Sequence, residues 1–217
     1  MKSQSSKFSS LFNWFAAIWI MLAMIAVGAL FALNSTFIYG WLVDRHDLAS
    51  QTLLPRHRLV YNYRELIHYL QLPWRTPLHL PDFPVSESGA IHFGEVKQIF
   101  LIFYGILIFL VVAWPLAIIK NRQVLPVFNK SANLILTLTV VAAIGMVFDF
   151  YQTFVLLHRV LFRNDHWYFD PLTDPIIMAL PEELFLVKGI LLISLLLIQA
   201  ALVKFLFYRY YPRNKMT

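Results

Sequence analysis

The stretch LFNWFAAIWIMLAMIAVGALFALNSTFIY, residues 11–39, decides the fold. It contains no charged side chain, and roughly 20 apolar residues are enough for a helix to cross the hydrocarbon core of a membrane. The run follows Lys2 and Lys7, and it is longer than the apolar core of a signal peptide, which spans roughly 7–15 residues. We therefore predict that it forms an uncleaved first transmembrane helix.

Three further apolar runs follow along the chain. Hydrophobic residues make up 59% of the 217 residues, a share that is typical of a membrane protein and high for a water-soluble core. We predict an all-α polytopic protein with a single membrane domain over residues 1–217. Its four transmembrane helices are expected at residues 11–39, 99–119, 134–162 and 184–208.

The charges beside these runs predict the orientation of the chain. The short flanking segments that share one side of a four-span topology are basic and free of acids, which is typical of cytoplasmic segments. Both termini are therefore predicted to be cytoplasmic, and residues 40–95 and 163–183 are predicted to be extracytoplasmic. The basic residues used are Lys2, Lys7, Lys120, Arg122, Lys130, Arg209, Arg213 and Lys215.

The larger outer segment is predicted to form a small subdomain between the first two membrane helices. The stretch from Arg58 to Leu72 has the periodicity of a short amphipathic helix. Prolines crowd the stretch from Pro73 to Gly89, so we expect turns and small edge strands there.

Composition also excludes several functions. The chain has no cysteine, so disulfides, a thiol nucleophile and thiolate metal ligands are excluded. The net charge of +6 comes from basic residues beside apolar spans, where they meet lipid headgroups, and we do not predict nucleic-acid binding. Phosphate-binding, dinucleotide, zinc-protease and serine-hydrolase motifs are missing. We expect neither a metal nor a cofactor.

All seven histidines lie between His46 and His166, on or near the predicted outer face. His158 stands in the apolar string FVLLHRVLF, where an ionisable group is costly and usually functional or paired. His92 precedes Glu95 by three residues, so on a helix the carboxylate shares its face and can orient the imidazole. An interfacial histidine that anchors a helix start explains His92 equally well from spacing alone. Histidine suits acid–base catalysis near neutral pH.

Two other ionisable residues are predicted to lie inside the membrane. Asp149 and Lys188 fall at comparable depths of the third and fourth predicted helices. We interpret them as a buried structural ion pair that fixes helix packing.

Two strings of sequence resemble a known family. HFGEVK, residues 92–97, and HRVLFRNDHWYFDPLTDPIIMALPEELF, residues 158–185, resemble the family that contains the lipoprotein intramolecular transacylase, Lit, and YNYRELIHYL, residues 61–70, resembles it more weakly. The layout of four spans with a larger first outer segment also matches that family. The resemblance covers most of the chain.

The resemblance implies an acyltransferase of the bacterial plasma membrane. Such an enzyme moves the sn-2 acyl chain of a diacylglyceryl lipoprotein to the α-amino group of its N-terminal cysteine, which gives a lyso-form lipoprotein. Carried over to this sequence, the catalytic histidines are His92 and His158, with His166 as an alternative for the second. Residues expected to support catalysis or bind substrate are Glu95, Lys97, His166, Asp165, Trp167, Tyr63 and Asp174.

Two alternatives remain beside this interpretation. One is a membrane partner or sensor without catalytic activity, whose outer loops bind lipid or protein. The other is a lipid hydrolase that uses the same histidines and water. The expected partners of the transacylase are diacylglyceryl lipoproteins and membrane phospholipids.

Overall fold

The computed structural model describes the backbone of residues 2–120 and 124–211 and the side chains of residues 10–112 and 125–211. Within these residues every regular element is a helix, so the predicted all-α class is confirmed and the small strands predicted between Pro73 and Gly89 are wrong. Several basic residues used to predict orientation lie outside the described side chains, namely Lys2, Lys7, Lys120, Arg122, Arg213 and Lys215.

Eight α-helices and one short 3₁₀ helix make up the described chain. They are α1 (Lys2–Asn34), α2 (Phe37–Arg45), α3 (Leu48–Thr52), α4 (Arg56–Gln71), α5 (Glu87–Lys120), α6 (Val124–Phe148), α7 (Phe150–Leu161), the 3₁₀ helix (Pro175–Ala179) and α8 (Glu182–Tyr210).

Four helices are long and apolar enough to cross a membrane, which confirms the predicted number of spans. The candidate spans are Ser10–Asn34, Glu87–Val112, Leu125–Phe148 and Glu182–Tyr210. The fourth agrees with the predicted 184–208 to within two residues at each end. The second helix starts at Glu87, twelve residues before the predicted 99, because the helix begins in the more polar segment that precedes the apolar run.

Two predicted helices are interrupted in the structure. The first ends at Asn34 instead of residue 39, and Ser35 and Thr36 separate it from α2. The predicted third helix, 134–162, is two helices divided at Asp149, whose backbone is extended with φ −159° and ψ 100°. Its carboxylate accepts a hydrogen bond of 2.9 Å from the Gln152 amide, so Asp149 is the N-cap of α7. Apolar residues on both sides hide this break from a hydropathy pattern.

The predicted ion pair between Asp149 and Lys188 is wrong. Both side chains are described, and each has other partners. While Asp149 caps α7, the Lys188 ammonium donates to the backbone carbonyls of Ala32, at 2.5 Å, and Ser35, at 2.8 Å. Carbonyls at the C-terminal end of a helix lack partners within the helix, so Lys188 satisfies the end of α1.

The contacts of the chain divide it into two compact units, and the prediction of a single membrane domain stays a prediction. The first unit comprises Met1–Ala29, Phe103–Val147 and Leu192–Thr217. Small residues allow its helices to approach closely: Ala17, Ala132 and Ala200 are fully buried. A Cβ placed on Gly28 would lie 2.8 Å from the Leu192 side chain.

The second unit comprises Leu30–Ile102 and Phe148–Leu191. The predicted amphipathic helix is present as α4, which buries Leu59, Tyr63 and Leu66 in the core of this unit. The proline-rich segment is held to α4 by side chains instead of strand pairing. Asp82 accepts hydrogen bonds of 2.5 Å from both Arg58 and the buried Asn62.

We expect Lys188→Met to destabilise the protein. The apolar side chain removes the charged donor from the carbonyls of Ala32 and Ser35, which keep only the longer hydrogen bonds of 3.3 Å from the backbone amides of Ser35 and Ile38. A hydrogen bond that involves a charged group contributes roughly 1.5–3 kcal/mol. The measurement is the melting temperature of the detergent-purified protein. Arg209→Met removes an exposed cation from the same helix and is the control. Equal melting temperatures for the two variants would contradict this role of Lys188.

Candidate active site

Two histidines from different helices meet in the second unit. His92 lies in the second turn of α5 and is 6% exposed. His158 lies near the C-terminal end of α7. Their ring centroids are 5.8 Å apart. The structure thus brings together the two residues that the sequence predicts as catalytic, although 66 positions separate them in the chain.

Aromatic rings surround this histidine pair. Ring centroids of the neighbouring side chains lie between 4.0 and 5.9 Å from one or both imidazoles. Such packing keeps water away and strengthens every electrostatic interaction inside the site. We call these side chains the aromatic shell; its members are Phe93, Phe154, Phe162, Trp167 and Phe169.

The hydrogen bond of His158 determines which of its two ring nitrogens is basic. Its Nδ1 lies 2.8 Å from the carbonyl oxygen of Phe154. Because a carbonyl only accepts, Nδ1 carries the proton, and Nε2 is the free basic nitrogen of the neutral ring. Burial lowers the pKa of His158, an effect that the hydrogen bond to Phe154 partly offsets. His158 is therefore neutral at pH 7 and able to accept a proton.

Two buried polar atoms beside the pair have no hydrogen-bond partner among the described residues. They are Nδ1 of His92 and Oε2 of Glu95. Glu95 follows His92 by three residues on α5, so both project from one face of the helix. Buried polar groups are normally satisfied, so these two atoms are available to a polar ligand that enters the aromatic shell.

Asn164 connects Glu95 to the loop after α7. Its amide donates to Oε1 of Glu95 at 2.7 Å, and its backbone carbonyl accepts from the Trp167 indole at 2.9 Å. Trp167 in turn packs against His158, with centroids 5.0 Å apart. Sequence reasoning missed Asn164. Its only signal was its place in a polar turn directly after the apolar end of α7.

Asp174 and His166 lie where α5 begins. Asp174 is 2% exposed and accepts hydrogen bonds from the amide and hydroxyl of Ser86, at 2.8 and 2.6 Å. Ser86 directly precedes α5, and its hydroxyl accepts from the Gly89 amide at 2.9 Å, as an N-cap does. Nδ1 of His166 is 2.8 Å from the Ser88 hydroxyl. These contacts fix the turn that carries His92.

Three other predicted site residues have contacts elsewhere. Lys97 donates to the carbonyl of Arg75 at 2.7 Å and lies 4.4 Å from the ring centroid of Tyr69. The Tyr63 ring stacks on Tyr39 in the core, at 4.1 Å. Asp165 is exposed. A catalytic or binding role for them stays a prediction.

The family model of the lipoprotein intramolecular transacylase Lit matches residues 14–185. The chain belongs to this family. The structure is similar to that of the membrane-integral Lit from Bacillus cereus, with 25% sequence identity, a TM-score of 0.82, and coverage of 98% of this chain and 100% of the other. No curated protein sequence matches the chain.

Two variants of Bacillus cereus Lit share the fold. In each, one histidine is replaced, by alanine or by arginine; the TM-scores are 0.76 and 0.70, both at 24% identity. They cover 99% and 100% of this chain, and each is itself covered to 99%. Membership of the Lit family makes the chain a multi-pass membrane acyltransferase, which confirms the resemblance seen in the sequence.

A substitution at Gly89 tests whether Asp174 fixes the start of α5. A Cβ at this position would lie 2.3 Å from Oδ1 of Asp174, so Gly89→Ala must displace the carboxylate that holds Ser86. We expect a loss of about 1–3 kcal/mol, as overpacking typically costs, measured as a lower melting temperature. Gly105→Ala on the same helix is the control, because its Cβ meets nothing within 4 Å. It should be neutral or stabilise by up to about 1 kcal/mol. Equal effects would refute the proposed contact.

Proposed function

We propose that His92 and His158 catalyse transfer of the sn-2 acyl chain of a diacylglyceryl lipoprotein to the α-amino group of its N-terminal cysteine. The observation that carries the proposal is the 5.8 Å approach of the two imidazoles inside the aromatic shell. The substrate class follows from membership of the Lit family. Diacylglyceryl lipoproteins are thus the proposed substrates and lyso-form lipoproteins the product.

The reaction balances without another reactant. The amine nitrogen forms a bond to the acyl carbonyl carbon, the ester bond to the glyceryl oxygen breaks, and the proton of the amine ends on that oxygen. Because amine and ester belong to one molecule, holding the glyceryl group in place gives the high effective concentration of an intramolecular reaction. The aromatic shell favours this outcome over hydrolysis because it excludes water.

His158 is the proposed general base. A cysteine α-ammonium, with a pKa of roughly 7.7–8.0 in peptides, must lose a proton before it attacks the ester. Nε2 of His158 is the basic nitrogen, since Nδ1 donates to the carbonyl of Phe154. This first proton is released to solvent. Nε2 of His158 accepts the second proton from the nitrogen as the bond to the acyl carbon forms, and the imidazolium gives that second proton to the departing glyceryl oxygen.

His92 is proposed to stabilise the oxyanion. Its Nδ1 is buried and has no partner among the described residues. When this nitrogen carries a proton, it donates a hydrogen bond to the carbonyl oxygen that becomes negative in the tetrahedral intermediate. Such a donor is worth more in a dry site than in water, because it competes with no solvent.

Glu95 is proposed to bind the α-ammonium before the proton leaves. Asn164 occupies Oε1, whereas Oε2 is buried and unpaired. A hydrogen bond between an ammonium and a carboxylate is among the strong kinds. Binding by Oε2 would place the amine beside His92, which lies on the same face of α5 as Glu95.

We also propose that the site faces away from the cytoplasm of a bacterial plasma membrane. The support is the distribution of charge in the sequence: the short segments around the termini and between α5 and α6 are basic and contain no acid. Both termini are then cytoplasmic, and residues 40–95 and 163–183 are extracytoplasmic. Lipoprotein substrates would reach the site from the outer leaflet.

We expect His158→Ala to lower the rate of acyl transfer by about 10²–10⁴-fold, the usual contribution of a general base. The measurement is mass spectrometry of the N-terminal lipopeptide of a reporter lipoprotein. His57→Ala, which removes an exposed histidine from the same unit, should react normally. A His158→Ala variant with near-normal product would refute the assignment of the base.

Glu95→Gln keeps a hydrogen-bond acceptor for Asn164 but removes the charge. We expect KM for a lipopeptide substrate to rise about 10-fold or more at pH 7, because hydrogen bonds to charged groups contribute roughly 1.5–3 kcal/mol. The defect should shrink above pH 8, where the free substrate amine is already neutral. A defect that stays constant between pH 6.5 and 9 would indicate a purely structural role for Glu95.

A further inference from the structure

The first unit contains a groove whose chemistry differs from that of the histidine site. It has a volume of about 380 Å³ and lies between α1 and α6, within the range of small-ligand sites. At one end it presents an ammonium and an amide, and beyond them it is apolar. Its principal lining residues are Trp14, Lys130, Asn133, Leu134, Leu138 and Val141.

Two lysines converge on the polar end of this groove. Lys130 lies 5.0 Å from the ring centroid of Trp14, which holds its ammonium at the groove wall. Lys204, on α8, donates to Oδ1 of Asn133. Asn133 follows Lys130 by three residues on α6 and therefore shares its face. Since the Asn133 oxygen is occupied by Lys204, its amide N–H group is left as a further donor.

No carboxylate of the first unit competes for these lysines. All 12 Asp and Glu residues of the sequence fall outside its three segments, whereas Lys and Arg residues occur in each of them. The two ammonium groups are thus positive charges without an acidic partner in their own unit. An anionic ligand would complement them.

The depth of the polar end matches the boundary between lipid headgroups and acyl chains. Lys130 lies six residues after the first residue of α6, and Lys204 lies six residues before the last residue of α8. At 1.5 Å per residue, both lysines lie about 9 Å inside these helix ends. Long lysine side chains at this depth extend toward the headgroups.

We propose that this groove binds one anionic phospholipid. The phosphodiester lies between Lys130 and Lys204 and accepts from the Asn133 amide. One acyl chain follows Leu134, Leu138 and Val141, which lie along one face of α6 at helical spacing. The occupant is a lipid and not a soluble phosphate, because the groove continues from its charged end along exposed leucine and valine side chains.

Native mass spectrometry of the detergent-purified full chain tests the proposal. Phosphatidylglycerol and phosphatidylcholine are titrated separately, and the population with one bound lipid gives the Kd. We expect one saturable phosphatidylglycerol site that is tighter than any phosphatidylcholine site. Lys130→Gln and Lys204→Gln should each weaken it about fivefold, as expected for one cation near the headgroups.

Arg209→Gln is the matched control, since it removes a charge from an exposed position of α8, on the C-terminal side of Lys204. It should leave the phosphatidylglycerol Kd unchanged. Leu138→Trp fills the apolar part of the groove without changing charge and should also weaken binding, which keeps a test available if a lysine variant does not fold. Equal affinity for the two lipids, or equal effects of Lys130→Gln and Arg209→Gln, would overturn the proposal.

Discussion

The packing of two imidazoles against each other is the constraint on which the site depends. Histidine rings packed among phenylalanine and tryptophan side chains lose hydration, so their positions must be fixed from outside the pair. A carboxylate fixes the start of each of the two helices, α5 and α7, that carry the pair. Asp174 holds Ser86 at the start of α5, and Asp149 is itself the cap of α7. Asn164 completes the arrangement because it binds Glu95 and also accepts from the indole of Trp167.

In the proposed mechanism, this arrangement supports an acyl transfer without a nucleophile from the protein. The amine of the substrate is the nucleophile, so the protein has only to move one proton and stabilise one negative charge. The two orphaned atoms, Nδ1 of His92 and Oε2 of Glu95, fit the oxyanion and the ammonium respectively. Leaving these two buried atoms without hydrogen bonds costs free energy in the free protein. In the proposed complex the substrate supplies the missing partners, so the site is preorganised for it.

Hydropathy and periodicity predicted the number of spans and the amphipathic α4, because these features depend on long apolar runs and on the spacing of apolar residues. His158 stood out as an ionisable residue in an apolar string, whereas His92 was singled out by its spacing from Glu95 and by the family resemblance; the catalytic role of both stays a prediction. The break at Asp149 was not predicted because apolar residues continue on both sides. In sequence, an aspartate that caps a helix looks the same as an aspartate that pairs with a buried lysine. Lys188 was paired with the wrong partner since backbone carbonyls at a helix end are invisible in sequence. The link from Asn164 to Glu95 spans 69 positions, and no local pattern reports it.

The most direct test of the account is a crossover experiment with two diacylglyceryl lipopeptides that differ in peptide sequence, only one of which carries a deuterated sn-2 chain. Mass spectrometry follows both during reaction with the purified protein. The account predicts products of unchanged mass in which the deuterated chain is amide-linked to the cysteine of its original peptide. Movement of the label to the other peptide, or loss of the mass of one acyl chain to water, would contradict intramolecular transfer at the histidine pair.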